Sequence, residues 1–60
     1  MTIKQFEIGN QVKHIAQDIL GKIISIHYDT DEIVIEDAHS EYEYPDNLLV
    51  YRSSELIKSF

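Results

Sequence analysis

The chain has 60 residues, with five Lys and Arg against eleven Asp and Glu, a formal net charge of −6, no Cys and no Trp. A chain of this length buries only about 60% of its unfolded surface, so residues 1–60 are expected to form one small domain with a single core. The absence of Cys excludes a disulfide framework, a thiolate metal site and a cysteine nucleophile, and it favours a reducing, cytoplasmic location.

No segment has the character of a targeting or membrane sequence. The N-terminal residues lack the apolar stretch of a secretory signal, and Glu7 interrupts them early. The apolar runs are far shorter than the roughly 20 residues that cross a bilayer. We therefore expect no signal peptide and no interaction with a membrane.

The first third of the chain is compatible with two different structures. Apolar residues recur at the spacing of an amphipathic helix, at Val12, Ile15, Ala16, Ile19 and Leu20. The β-branched residues and the shortness of the segment favour instead a turn that leads into a strand. The alternatives are a mainly β fold and an α+β fold with a helix at about residues 11–20.

The middle of the chain predicts a β-hairpin. Residues 23–28 and 33–37 are rich in β-branched side chains, and the turn-forming residues 29–32 lie between them. Both segments are more apolar than strict alternation requires. This indicates strands that are covered on much of both faces, as in a small closed barrel.

The last third predicts a polar connection followed by two short strands. Residues 38–47 form the connection, which ends in the turn formers Pro45, Asp46 and Asn47. Residues 48–52 predict a strand, residues 53–56 a single 3-10 turn, and residues 57–60 a short closing strand.

The acidic residues are concentrated in the second half of the chain. Between positions 29 and 46 there are eight carboxylates and no Lys or Arg: Asp29, Asp31, Glu32, Glu36, Asp37, Glu41, Glu43 and Asp46. Such a field repels nucleic-acid phosphates and accelerates the encounter with a basic protein surface. The same pattern is also typical of the solvated face of a small sheet, where acidic side chains only keep the protein soluble.

Two tyrosines lie within this acidic stretch. In an extended segment, Tyr42 and Tyr44 share one face while Glu41 and Glu43 share the other. The tyrosines then either close one side of the core or line an acidic patch that binds a basic partner. The predicted docking face comprises both tyrosines and the eight carboxylates named above.

The sequence offers no arrangement that is typical of catalysis. No Ser lies in a nucleophile elbow, and no Gly-rich loop is present to bind phosphate. The segment that begins at Asp29 resembles the opening of a calcium loop but lacks its later acidic and Gly positions. We expect no enzymatic activity and no cofactor.

The three histidines match no local metal-binding motif. They lie at positions 14, 27 and 39, too far apart in sequence for a short ligand pattern. A pair formed by His14 and His27 on neighbouring strands is the one arrangement worth considering, and it competes with ordinary surface histidines. We expect no metal site.

Four segments together resemble a known family of small barrels. They are residues 6–15 with Gly9, residues 20–26 with Gly21-Lys22, residues 33–37, and residues 54–57 with a polar-polar-Leu turn. This pattern is similar to the Src-homology-3-like barrels of the Tudor and KOW kind, which include many uncharacterised bacterial and phage proteins. The resemblance implies a five-stranded, partly open barrel, with a strand at residues 12–15, a loop at residues 16–20 and a 3-10 turn before the last strand. It also implies that Gly9 and Gly21 occupy sharp bends or positive φ.

The functions of that family transfer only in part. The members that bind polyproline peptides carry a Trp beside their groove, and its absence here disfavours that function. A methyl-lysine cage requires three or four converging aromatic side chains, which here would come from Tyr28, Tyr42, Tyr44, Tyr51 and the two Phe. The KOW-type nucleic-acid binders are usually basic, whereas this chain is acidic.

These observations favour a non-enzymatic interaction module, or an accessory subunit, that docks a basic protein surface. The alternative is KOW-like nucleic-acid binding through Lys4, Lys13 and Lys22 in the more basic half. We expect a monomer, or a weak dimer that pairs through an open edge such as residues 48–51.

Overall fold

The computed structural model describes residues 3–59, which form five antiparallel strands in one sheet. The strands are β1 (Gln11–His14), β2 (Leu20–His27), β3 (Glu32–Asp37), β4 (Leu48–Arg52) and β5 (Leu56–Lys58). Short 3-10 turns occur at Ile3–Gln5 and at Ser53–Glu55, directly before β5. The predicted mainly β fold with a 3-10 turn before the last strand is confirmed. Within residues 3–59, no helix has the length and apolar character to cross a membrane.

The sheet curls because its two edge strands are joined by a very short connection. The strand order is β4-β3-β2-β1-β5, so β4 and β5 lie at opposite edges. A flat sheet of this order would separate them by about 19 Å, whereas a three-residue 3-10 turn advances only about 6 Å. A register shift between Ile23 and Ser25 in β2 adds a local bend. The result is a partly open barrel.

The core fills the concave side of this sheet. Among the described side chains, six apolar ones have no more than 1% of their surface exposed: Phe6, Val12, Ile23, Ile33, Ile35 and Leu56. Ile19, Ile26, Leu49 and Tyr51 pack against them. Strand alternation explains the pattern, because Ile33 and Ile35 point inward while Val34 points outward and is half-buried.

The helix predicted as an alternative at residues 11–20 is wrong. Residues 11–14 form β1, which pairs with β2 on one side and with β5 on the other. Val12 and His14 are buried, whereas Ile15 is 59% exposed, so the burial follows the two-residue period of a strand. β1 starts one residue earlier than the expected strand and ends at His14. Pairing on both sides outweighs the helical spacing of the apolar residues.

The two glycines singled out by the sequence have different roles. Gly9 has a φ of +96°, as predicted. Gly21 lies inside β2, and the prediction of a bend or positive φ there is wrong. A Cβ at Gly21 would lie 2.8 Å from Cδ1 of Ile35 and 2.9 Å from the carbonyl oxygen of Glu36. Gly21 therefore permits the close approach of β2 and β3.

The predicted hairpin is confirmed. β2 and β3 pair in antiparallel fashion around a turn at residues 28–31, and Asp31 has a φ of +57°. Glu32, expected in the turn, is the first residue of β3. The closing strand begins at Leu56, one residue earlier than predicted, and Phe60 lies outside the described residues.

Candidate protein-interaction surface

Seven of the ten predicted docking residues lie in two groups at opposite ends of β3, and the other three lie within the strand. Asp29 and Asp31 lie in the hairpin turn, whereas Glu41, Glu43 and Asp46 lie in the connection from β3 to β4. The six residues of β3 separate these groups by about 17 Å along the strand. A partner would have to span the barrel to contact both groups.

Two of the carboxylates within β3 face basic residues on the neighbouring strands. Glu32 lies opposite Arg52 of β4, and Glu36 lies opposite Lys22 of β2. Opposite charges at directly facing positions stabilise strand pairing. They also reduce the local negative field, so these two carboxylates contribute less to attraction of a partner.

Two further acids contribute to turns. Asp31 adopts the left-handed backbone conformation that the hairpin turn requires, which Asp tolerates better than most residues. The Oδ1 atom of Asp37 accepts a hydrogen bond from the backbone N–H of His39 at 2.9 Å. This contact directs the chain out of β3, as Asx turns do.

Residues 38–47, here called the acidic loop, are held in a defined shape by their own hydrogen bonds. The N–H of Asp37 donates to the carbonyl of Asn47 at 3.0 Å and closes the base of the loop. Within it, the N–H of Tyr42 donates to Oγ of Ser40 at 3.0 Å, and the N–H of Asp46 donates to the carbonyl of Glu43 at 2.8 Å. The loop is a succession of bends and turns rather than an extended strand.

Both tyrosines of the acidic loop project into solvent. Tyr42 is 68% exposed and Tyr44 is 66% exposed, so the interpretation in which they close the core is wrong. Leu49 and Tyr51 of β4 pack against the core instead. The two rings therefore lie with Glu41, Glu43 and Asp46 on one exposed loop.

The tyrosines do not converge as a methyl-lysine cage would require. Tyr28 lies in the hairpin turn, at the opposite end of β3 from the acidic loop. The ring of Tyr51 packs edge to face against His14, with ring centroids 4.7 Å apart. The four tyrosines are thus distributed over separate parts of the barrel.

His14 has a structural environment that the sequence interpretation did not anticipate. It is 6% exposed, whereas a surface residue was the expected alternative to a metal ligand. Its Nδ1 accepts hydrogen bonds from the N–H groups of Ala16 and Gln17 at 3.0 and 3.1 Å. Nδ1 is therefore unprotonated, and Nε2–H donates to Oε2 of Glu55 at 3.3 Å. The position of His14 two residues after Val12 in a strand was the available signal for its burial.

The pair of His14 and His27, considered above as the one possible metal site, does not form on neighbouring positions. β1 pairs with the start of β2, through Lys13 and Leu20, whereas His27 is the last residue of that eight-residue strand. His27 thus lies seven residues further along β2 than Leu20, and β1 does not pair with that end of the strand. In the part of the chain that the structure describes, no three His, Asp or Glu side chains are grouped as metal ligands.

A cavity lies beside the paired strands β1 and β2. Its volume is about 240 Å³, and its lining includes Gln11, Lys22, His39 and Ser59. This is below the range of about 300–1,000 Å³ that is typical of small-molecule sites.

The comparisons with known proteins leave the family open. No family model matches the chain, and neither the curated proteins nor the solved structures contain a match to it. The resemblance to the Src-homology-3-like barrels stays a prediction. The function is therefore inferred from the geometry of the acidic loop.

Proposed function

We propose that this chain is a non-enzymatic interaction module that binds a basic protein surface through its acidic loop. The observation that carries this proposal is the exposure of Tyr42 and Tyr44, at 68% and 66%, beside Glu41, Glu43 and Asp46. The acidic loop contains no Lys or Arg.

The loop combines the two components that protein recognition uses. Tyrosine supplies a large, rigid contact area at low conformational cost, and it is enriched among the residues that dominate binding energy. Carboxylates around such rings steer a basic partner into place and raise the association rate. The hydrogen bonds that hold the loop in shape reduce the entropy that is lost on binding.

The solubility interpretation accounts for only part of this surface. Acidic side chains alone keep a small domain soluble. Two largely exposed aromatic rings on the same loop do not serve that purpose, because apolar surface in water favours association. The tyrosines therefore favour a binding role for the acidic loop.

Nucleic-acid binding is a second candidate, supported by the placement of two lysines. Lys13 and Lys22 share the outer face of the β1–β2 pair, because Gln11 lies opposite Lys22. Lys4 lies in the first 3-10 turn. Glu36 faces Lys22 from the other side, and the net charge of −6 opposes phosphate binding.

Affinity capture with charge-matched variants tests the proposal. Tagged protein is incubated at low salt with a lysate of the cells that produce it, with and without nuclease. The E41Q/E43Q variant is compared with E7Q/D18N, which removes the same charge at exposed positions outside the loop. We expect a basic protein that persists after nuclease treatment and is captured about tenfold less by E41Q/E43Q, a difference of about 1.4 kcal/mol.

The control variant defines the contradicting results. Equal losses in E41Q/E43Q and E7Q/D18N would assign the effect to net charge and contradict a role for the loop. Complete loss of bound proteins on nuclease treatment would instead support the lysine-bearing face as a nucleic-acid surface.

A further inference from the structure

The sheet has an open edge directly beside the acidic loop. β4 lies at the end of the strand order and, among residues 3–59, pairs only with β3. Its first residue, Leu48, follows the last residue of the loop. An open edge presents backbone groups that can pair with another strand.

The hydrogen bonds of the hairpin establish which residues face this edge. The N–H of Asp37 donates to the carbonyl of Asn47, which makes this a hydrogen-bonded pair of the antiparallel ladder. Such pairs alternate with non-bonded ones. The register then makes Leu49 and Tyr51 the residues of β4 that bond to β3. The N–H and C=O of Val50 therefore point to the open side.

The neighbouring amides agree with this assignment. The N–H of Arg52 donates to Oε1 of Glu55 at 3.1 Å, and the N–H of Leu48 donates to the carbonyl of Pro45 at 3.4 Å. The amides of Leu48 and Arg52, which also point to the open side, thus bond to nearby residues of the same chain. The N–H and C=O of Val50 instead face solvent. Its side chain is 55% exposed as well.

We infer that β4 accepts an extended peptide as an additional antiparallel strand centred on Val50, with basic residues near the peptide's C-terminal end. This inference rests on the proposed function, since the peptide is part of the basic partner. The antiparallel direction follows because one opposing residue can then bond to both the N–H and the C=O of Val50.

The charges along the edge determine where the peptide carries its lysines. The C-terminal end of an antiparallel peptide lies at the start of β4, beside Glu43 and Asp46. Its N-terminal end lies beside Arg52, whose charge is offset by Glu32 and Glu55. Lysines near the C-terminal end therefore complement this edge.

A second copy of the chain is a poorer occupant of the same edge. Two antiparallel copies of β4 would bring each acidic loop to the Arg52 end of the other copy. Glu32 lies opposite Arg52, and Glu55 follows it closely, so this end is not basic overall. Each copy also carries a net charge of −6, which opposes association.

A titration of the ¹⁵N-labelled protein tests this inference. The probe is a capped nine-residue peptide of Thr with Val fifth and Lys at the last two positions. We expect saturable binding and an exchange rate of the Val50 amide that falls at least about tenfold. Two control peptides carry either N-methyl-valine at the fifth position or the two lysines at the first two positions instead of the last two. Both controls are expected to bind at least about tenfold more weakly.

The outcomes separate this inference from the proposed function. Equal binding of the N-methyl peptide, with an unchanged Val50 amide, would overturn strand addition. The proposed function would stand if E41Q/E43Q still weakened that binding. Protection of Val50 that is insensitive to the position of the lysines and to E41Q/E43Q would overturn the basic partner and the proposed function together.

Two further results would also overturn strand addition by a partner peptide. One is concentration-dependent protection of Val50 without peptide, accompanied by sedimentation as a dimer, which would identify a second copy as the occupant. The other is the absence of saturable binding by the probe peptide, in which case the capture experiment alone tests the proposed function.

Discussion

At the scale of single residues, His14 connects three parts of the barrel. Its Nδ1 accepts two backbone N–H groups from the loop after β1, and its Nε2 contacts Glu55 in the second 3-10 turn. Its ring also packs against Tyr51 of β4. The His14 side chain thus contacts the loop after β1, the 3-10 turn between β4 and β5, and β4 itself, and it fixes their relative positions.

The substitution H14F removes the hydrogen bonds of this ring while it keeps a ring of similar volume. Phe retains an aromatic ring of similar size but leaves the N–H groups of Ala16 and Gln17 without their acceptor. We expect the free energy of unfolding, measured with urea, to fall by about 1–3 kcal/mol. The control E55Q keeps an oxygen that accepts from Arg52, and we expect it to cost less than H14F. An unchanged urea midpoint in H14F would contradict this role.

Residue roles were predictable where local geometry decides them. The positive φ of Gly9 follows from a turn position that needs glycine, and it was predicted. The role of Gly21 depends on how closely Ile35 and Glu36 of another strand approach it, which a single sequence does not reveal. The two N–H donors to His14 depend likewise on the path of the loop after β1.

At the scale of elements, the acidic loop differs from the strands in what determines its structure. The strands were predictable because Ile33 and Ile35 must both reach one core, which imposes a two-residue period. No such period governs residues 38–47, where turns and the hydrogen bond to Ser40 orient the chain. This is why the exposure of Tyr42 and Tyr44 did not follow from their alternation with glutamates.

The substitution Y42S/Y44S separates binding from stability in this loop. Both rings are largely exposed, so we expect the free energy of unfolding to change by no more than about 0.5 kcal/mol. The captured partner should bind at least about tenfold more weakly, as loss of central tyrosines predicts. Y28S removes another exposed ring, in the hairpin turn, and should bind normally. Equal binding by Y42S/Y44S and the unaltered protein would contradict the proposed contact.

At the scale of the whole molecule, the barrel separates its charges. The acidic loop and the hairpin turn lie at opposite ends of β3, while Lys13 and Lys22 lie on the outer face of β1 and β2. The sequence showed an acidic second half but not this separation, because the separation depends on strand order. The proposed contact is therefore local: the partner contacts the acidic loop rather than every carboxylate.

Zero-length cross-linking tests this claim most directly. A carbodiimide joins a carboxylate of this protein to a lysine amine of the bound partner as an amide, with loss of water, only where the two groups are in contact. Mass spectrometry of the captured complex then identifies the linked carboxylates. The account predicts links from Glu41, Glu43 or Asp46 in the acidic loop. Links confined to Glu7, Asp18 or the hairpin turn, in a complex that forms normally, would contradict it.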